Sequence, residues 1–342
     1  MVAPLVRFAV RRSLNDTRHI RVVKRRHASG LVAEVYRQVE RDFKMLAPPV
    51  ALHSAAPDTM AASWMILRET LLVQGVADRA SKEAVATGVS EANSCPYCAD
   101  VHGMTMAAIP DPAGSDRDLL AKWARESATA AGAGVPPFPP EQAAELVGTA
   151  VAFHYYNRMV NVFLRESPFP SHVPESAKPK ARKVLGGVLR PSERGPAAGD
   201  SVDLLPAGAP ADGLCWTHPN AVISEAFARA YTAIDIAGTR SVPDSVRGLV
   251  HDRLALWDGQ APGISRSWLH EAVAGLPEAD AAAGRLALAI ALASYQVDES
   301  LIDAYRATGP GDGELVELAA WASMAAARRI STWLAAANPA CG

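Results

Sequence analysis

Helical spacing of apolar residues is the feature that most limits the fold of this chain. Met60, Trp64, Leu67 and Leu71 recur at intervals of three and four residues, which places them on one face of a helix. Comparable patterns begin near residues 81, 119 and 141, and no segment alternates apolar and polar residues as a half-buried strand does. Only 6% of the residues are aromatic, whereas alanine is abundant, which favours closely packed helices. The sequence therefore predicts an all-α fold.

Length and composition indicate two modules. The chain has 342 residues, of which 49% are hydrophobic, and domains typically hold ~100–200 residues. A segment rich in Pro, Gly, Ser and Ala separates two helical parts. We predict four regions: a basic, partly ordered leader at 1–30, a first helical module at 31–165, a linker or irregular covering segment at 166–215, and a second helical module at 216–342.

Charge and hydropathy argue against nucleic-acid and membrane partners. A formal net charge of -2 provides no general attraction for polyanions. No segment approaches the ~18 consecutive apolar residues of a spanning helix, and the basic leader lacks the apolar run of a secretory signal. Two of the four cysteines, Cys215 and Cys341, are isolated in sequence, so we expect a buried apolar residue and a free terminal thiol there. The remaining pair indicates one local dithiol in a reducing, cytoplasmic location.

That pair carries the chemistry. Cys95 and Cys98 are three residues apart, and His102 follows four residues later, so all three would share one helix face. Pro96 fits only the first turn of a helix, which makes Asn93 or Ser94 the expected N-cap. At that position the helix dipole favours the thiolate, so we expect lowered thiol pKa values and two-electron thiol chemistry.

Glu83 requires a separate argument. It lies twelve residues before Cys95, a distance of about 18 Å along one straight helix. A chain break at Asn93–Ser94 would allow the earlier helix to fold back and bring Glu83 to the thiols. There Glu83 could act as a general base or proton relay.

Several alternatives stay open at this stage. A zinc site would need four ligands, and the motif supplies three, with Glu83 or His154 as a possible fourth. A thioredoxin-like fold would require a strand before the cysteines, which the sequence does not show. The segment from His154 to Arg158 either packs in the core or lines the thiol site.

Glu83, eleven residues, then Cys95-x-x-Cys98-x-x-x-His102 resembles the signature of the alkylhydroperoxidase D-like (AhpD-like) proteins of the carboxymuconolactone decarboxylase superfamily. The flank from Val89 to Cys98 is similar as well. The resemblance covers residues 45–165, and residues 216–335 only as a degenerate second copy. In that copy Glu299, Ile302 and Arg306 would replace the two cysteines and the histidine, and Ala287 would replace Glu83. Chance alignment of two Ala-rich helical stretches is the alternative.

The resemblance implies an AhpD-like helical bundle with dithiol peroxidase activity and no haem, flavin or metal. Cys98 would attack the hydroperoxide, Cys95 would close the disulfide, and Glu83 and His102 would form the proton relay. Its partners would be a hydroperoxide substrate, a dithiol reductant or adaptor protein, and further copies of the chain in a homo-oligomer. The best-known peroxidases of that family carry histidine where this chain has Tyr97, which leaves the proton relay and the physiological oxidant open.

Two other functions compete with the peroxidase. A carboxymuconolactone-type decarboxylase transfers protons and has no need of a cysteine pair. A non-enzymatic redox-sensing or zinc-binding helical module would also explain the motif. The sequence does not specify the peroxide, the reductant, the oligomeric state, or the roles of the leader and the second module.

Overall fold

A computed structural model describes residues 17–110, 116–169, 173, 175–191, 195–209 and 211–341. Within these residues the chain consists of helices joined by turns and loops, and none of them forms a strand. The predicted all-α fold is confirmed. Most of the predicted leader lies outside the described residues, which begin at Thr17.

The first half of the chain builds the site. Asp78 begins one of its helices by accepting a hydrogen bond of 2.9 Å from the backbone N–H of Ser81, and Pro57 occupies the first turn of another. The described helices are α1 Gly30–Phe43, α2 Pro48–Ala51, α3 Pro57–Leu67, α4 Arg79–Ala92, α5 Pro96–Ala107, α6 Arg117–Glu126, α7 Ala143–Phe163 and α8 Lys178–Leu189. Helix α3 continues into a π-helical segment, Arg68–Leu72.

The second half is built in the same way, from helices joined by turns and loops. Its helices are α9 Ala221–Ser241, α10 Asp244–Leu256, α11 Ser267–Ala272, α12 Ala281–Ala293, α13 Glu299–Arg306 and α14 Asp312–Ala336. Helix α7 packs against α4 on one side and α14 on the other, and α9 packs across α3 and α14. One hydrophobic core therefore contains residues of both halves. That the halves are tandem copies stays a prediction.

The segment at 166–215 is more ordered than its composition indicates. Helix α8 occupies 12 of its residues, so the prediction of an irregular covering segment is wrong there. Pro179 lies in the first turn of α8, where a missing N–H costs nothing. Helix α8 runs so close to α5 that a Cβ on Gly186 would lie 2.5 Å from the carbonyl oxygen of Met104.

Buried ions anchor the same segment to the first half. Arg68 donates to Asp42 at 2.7 Å and to the carbonyl oxygen of Ala197 at 2.8 Å. Glu69 accepts from the backbone N–H of Gly199 at 3.0 Å and from the hydroxyl of Ser201 at 2.6 Å. Both charged side chains are buried, and their many partners compensate for the lost hydration.

Two cysteines pair in a way the sequence analysis did not anticipate. Cys215 and Cys341 form a disulfide across a sequence separation of 126 residues, with a Cα–Cα distance of 5.2 Å. The expectations of a buried apolar Cys215 and a free terminal Cys341 are therefore wrong. The cysteine count no longer argues for a reducing location, because this pair is a long-range disulfide.

The sequence predicts no membrane-spanning segment. In the described part of the chain, no helix combines the length and the apolar character needed to cross a membrane.

Candidate functional site

A tight turn between α4 and α5 presents the two thiols. Helix α4 ends at Ala92, and Ser94 adopts a left-handed conformation with φ of 50°, which is uncommon for a residue with a side chain. Cys95 is the N-cap of α5, and Pro96 follows at the first helical position. The predicted break at Asn93–Ser94 and the predicted place of Pro96 are confirmed. The predicted N-cap was wrong, because Cys95 and not Asn93 or Ser94 fills that position.

Both thiols are free and buried. Cys95 is 1% exposed and Cys98 is 3% exposed, and the two side chains hydrogen-bond each other. They lie one helical turn apart at the N-terminus of α5. A buried pair of this kind can form a disulfide with little solvent contact.

The structure brings Glu83 to His102 and not directly to the thiols. Helices α4 and α5 pack side by side, and the carboxylate Oε2 of Glu83 lies 2.6 Å from Nδ1 of His102. The other oxygen of Glu83 accepts from Arg79 at 2.7 Å. Burial opposes ionisation of Glu83, yet Arg79 and His102 outweigh it and hold the pKa of this carboxyl below its usual range.

This pair fixes the protonation geometry of His102. An ionised carboxylate can only accept, so Nδ1 of His102 carries the proton that it donates to Glu83. Nε2 of His102 is then the nitrogen that can accept a proton. The arrangement is the carboxylate-oriented imidazole of a general base.

The thiol nearest this base is not a preformed thiolate. Burial raises the pKa of the Cys98 thiol well above its usual range, the neighbouring Cys95 raises it further, and the Asn157 side chain acts in the opposite direction. The expectation of a lowered pKa from the helix terminus is therefore wrong for Cys98, since desolvation outweighs the dipole. Any chemistry that needs the Cys98 thiolate therefore also needs a base to take its proton.

An apolar pocket of about 90 Å³ opens beside Cys98. Helices α2, α5, α7 and α8 all contribute to its wall. Cys98 and His102 face it from α5, whereas Cys95 is not among its lining residues. The other lining residues are Phe43, Met45, Ala47, Pro48, Pro49, Val50, Leu67, Tyr97, Val101, Phe153, Tyr156, Pro168, Leu185 and Leu189.

Tyr97 occupies the wall of the pocket next to the thiols. Burial, followed by the neighbouring Cys98 and Cys95, raises the pKa of its phenol. Tyr97 is therefore protonated at neutral pH and cannot take up a proton as the family's histidine at that position could. It can donate a hydrogen bond into the pocket.

Sequence reasoning did not identify a polar cluster on α7 that holds the cysteine turn. His154, Asn157, Arg158 and Asn161 lie on one face of α7, and all four contact Asn93. The segment from His154 to Arg158 therefore both lines the thiol site and packs in the core: Tyr156 lines the pocket, and the polar residues are buried against the turn. Their i, i+3, i+4, i+7 spacing in an apolar helix was the available signal.

A metal centre receives no geometric support. Among the described residues, no group of three or more His, Cys, Asp or Glu side chains is placed to hold a metal ion. His154 hydrogen-bonds Asn93, and Glu83 is held by Arg79 and His102.

Two buried free thiols, an oriented imidazole and an apolar pocket define an all-helical dithiol protein. Over 337 residues the chain is 36% identical to alkyl hydroperoxide reductase Rv2159c of Mycobacterium tuberculosis. The aligned region covers 93% of this chain and 95% of that protein. The chain therefore belongs to the same family as that protein, which supports the AhpD-like resemblance of its motif. No family model matches the chain.

Proposed function

We propose that this chain is a thiol-dependent peroxidase that reduces organic hydroperoxides through Cys95 and Cys98. One observation carries the proposal: Cys98 and His102 line the same apolar pocket, while Glu83 lies 2.6 Å from Nδ1 of His102. The name of the Mycobacterium tuberculosis relative supports the same activity. The apolar wall favours the organic part of such a substrate.

The first step consumes the hydroperoxide. Nε2 of His102 takes the proton of the Cys98 thiol, and the sulfur attacks the terminal peroxide oxygen. The S–O bond forms, the O–O bond breaks, and the departing alkoxide takes a proton to leave as the alcohol. Two electrons pass from sulfur to the peroxide, and Cys98 becomes a sulfenic acid.

The second step forms the disulfide. The sulfur of Cys95 attacks the sulfur of Cys98, the S–S bond forms, the S–O bond breaks, and the hydroxide leaves as water after taking a proton. A dithiol donor, either a small molecule or an adaptor protein, then restores both thiols by exchange and is itself oxidised. The position of Cys98 at the pocket supports its assignment as the attacking thiol. Its contact with Cys95 supports Cys95 as the resolving thiol.

The direct test is a free-thiol count on metal-free protein before and after one equivalent of an organic hydroperoxide. We expect two free thiols in the untreated, denatured chain and none after treatment, with mass spectrometry placing the new disulfide at Cys95–Cys98. Cys98→Ser should abolish peroxide consumption. Cys95→Ser should stop at a sulfenic acid on Cys98 that a dimedone-type reagent traps.

A matched control is the Cys215→Ser/Cys341→Ser double variant, which removes the other cysteines and should consume peroxide normally. Equal consumption by wild type and Cys98→Ser would contradict the assignment of the attacking thiol. No fast loss of thiols from the wild type would overturn the peroxidase and favour a redox-sensing module.

A further inference from the structure

Asn93, in the turn before the cysteines, is held in place by hydrogen bonds to four residues of α7. Its side-chain nitrogen lies 3.0 Å from Nδ1 of His154 and 3.0 Å from Oδ1 of Asn157. Its side-chain oxygen lies 3.3 Å from Nη1 of Arg158, and its carbonyl oxygen accepts from Asn161 at 3.1 Å. This concentration of polar groups in an apolar core calls for a role beyond packing.

The donor and acceptor properties of these side chains fix the direction of each hydrogen bond in the cluster. A guanidinium can only donate, so the atom of Asn93 facing Arg158 is the acceptor Oδ1, and its amide nitrogen must point towards α7. That nitrogen then donates to Oδ1 of Asn157. The orientation of the Asn157 amide is therefore fixed as well, with its own N–H groups pointing away from Asn93.

The Asn157 amide ends this series at the reactive sulfur. One of its protons goes to the hydroxyl of Ser90 at 3.0 Å, and that hydroxyl donates in turn to the carbonyl oxygen of Ala86 at 2.6 Å. The side chain also hydrogen-bonds Cys98. The donors thus run from Arg158 through Asn93 and Asn157 to the sulfur.

The start of the series is a buried cation with neutral partners. Arg158 donates to the carbonyl oxygens of Ala291 at 3.0 Å and His154 at 2.7 Å. In the described part of the chain no carboxylate forms a salt bridge with it. Burial lowers the pKa of Arg158 to about 10, so it is still protonated at neutral pH. A buried charge of this kind favours a nearby anion.

We propose that the donor series Arg158–Asn93–Asn157 stabilises the anionic sulfur of Cys98, with Asn157 as a catalytic residue that contacts it and Arg158 and Asn93 as positioning residues. The inference rests on the proposed peroxidase function, in which Cys98 must carry negative charge as it attacks. Hydrogen bonds to an ionised acceptor are about twice as strong as neutral ones. The series therefore contributes most when the thiolate forms, and His102, which lines the same pocket as Cys98, supplies the base.

Other titratable groups also lie near the sulfur of Cys98, and they too influence its pKa. Helix α5 and its N-cap contribute Cys95, Tyr97 and His102. Helix α4 contributes Glu83, which acts through its hydrogen bond to His102, and α7 contributes Tyr156, which lines the same pocket. The pocket residues contributed by α2 and α8 carry no titratable side chain. A matched pair of variants separates the effect of the donor series from the influence of these groups.

The test measures the rate of alkylation of Cys98 by iodoacetamide against pH, in full-length protein carrying Cys95→Ser so that Cys98 is the reacting thiol. Asn157→Asp keeps an acceptor for Asn93 and removes the donor to sulfur. It should raise the midpoint of the profile by about one pH unit or more. Asn220→Asp makes the same substitution at the N-cap of α9, where an aspartate can also accept from the backbone, and should leave the midpoint unchanged.

A second variant covers the case in which Asn157→Asp folds poorly. Arg158→Met removes the charge at similar volume and should shift the midpoint in the same direction by a smaller amount, with circular dichroism confirming the fold. An unchanged midpoint in Asn157→Asp, or equal shifts in Asn157→Asp and Asn220→Asp, would overturn the inference. Because no peroxide is used, this outcome is independent of whether the wild type proves to be a peroxidase.

Discussion

The disulfide between Cys215 and Cys341 allows a quantitative prediction about stability. Replacing both cysteines by serine opens a loop that spans 126 residues of sequence. In the chain-entropy treatment, closing such a loop stabilises the fold by about 5 kcal/mol at 25 °C, and native disulfides typically deliver about 2–4 kcal/mol. The fall in Tm is this loss of free energy divided by the unfolding entropy of a chain of this size, so we expect the Tm to fall by about 3–7 °C.

Local structure indicates that the loss acts through the unfolded chain. Trp216, next to Cys215, is fully buried, donates to the hydroxyl of Ser331 at 2.9 Å, and packs against Phe227. These contacts hold the turn at Cys215 in place without the covalent bond. The folded state should therefore keep its helical circular-dichroism signal in the double variant while its melting temperature falls.

The assay is thermal unfolding with and without a reductant. A reductant should lower the Tm of the wild type and of Cys95→Ser/Cys98→Ser, because both retain the Cys215–Cys341 bond, and should leave Cys215→Ser/Cys341→Ser unchanged. Finding four free thiols in denatured, unreduced protein, or a double variant that melts within 1 °C of the wild type under the same conditions (a margin of about 1 kcal/mol or less), would refute the reasoning.

Three further predictions follow from single contacts. Because Arg79 and His102 hold the pKa of Glu83 below its usual range, its ionised form stabilises the fold above the unfolded-state pKa, and this stabilisation is lost as pH falls through the folded value. The stability advantage of wild type over Glu83→Gln in urea unfolding should therefore stay constant from pH 7 to about pH 5 and shrink as the pH falls below the unfolded-state value of about 4.3. A difference that stays constant down to about pH 3, or that shrinks mainly above pH 5, would contradict it. Gly88→Ala should cost about 1–3 kcal/mol in the same assay, since a Cβ there would lie 2.2 Å from the carbonyl oxygen of Ala121. Gly187→Ala in α8, where an added Cβ meets open space, should instead stabilise the fold by about 1 kcal/mol or less, because alanine is the better helix former. Leu185→Ala removes part of the apolar wall and should raise KM for a bulky organic hydroperoxide about tenfold or less, with turnover of hydrogen peroxide unchanged; equal effects on both substrates would argue against a substrate contact.

Local features of this fold could be predicted from the sequence. Apolar spacing identified the helices that begin at Pro57, Arg79 and Ala143, because burial of one face repeats every three to four residues. The break before the cysteines was predictable because Pro96 is confined to a first helical turn. Helix α8 was missed because its segment is rich in proline and glycine, although Pro179 lies where a helix tolerates it.

Features that depend on distant packing could not be predicted. Glu83 was expected at the thiols, but the angle between α4 and α5 places it at His102, and no local pattern encodes that angle. Cys215 and Cys341 gave no sign of pairing across 126 residues. The raised pKa of Cys98 follows from complete burial, which depends on helices far away in sequence.

Through helix α7, the arrangement of the thiol site depends on residues of both halves of the chain. Arg158 donates to the carbonyl oxygen of Ala291 at 3.0 Å, and Asn161 donates to the hydroxyl of Ser294 at 3.0 Å, so residues of the second half fix the side chains that hold Asn93. A fragment ending before residue 216 would expose the α14-facing side of α7 and release both contacts. The side chains that hold the turn before the thiols are thus fixed by residues that lie almost two hundred positions later in the sequence.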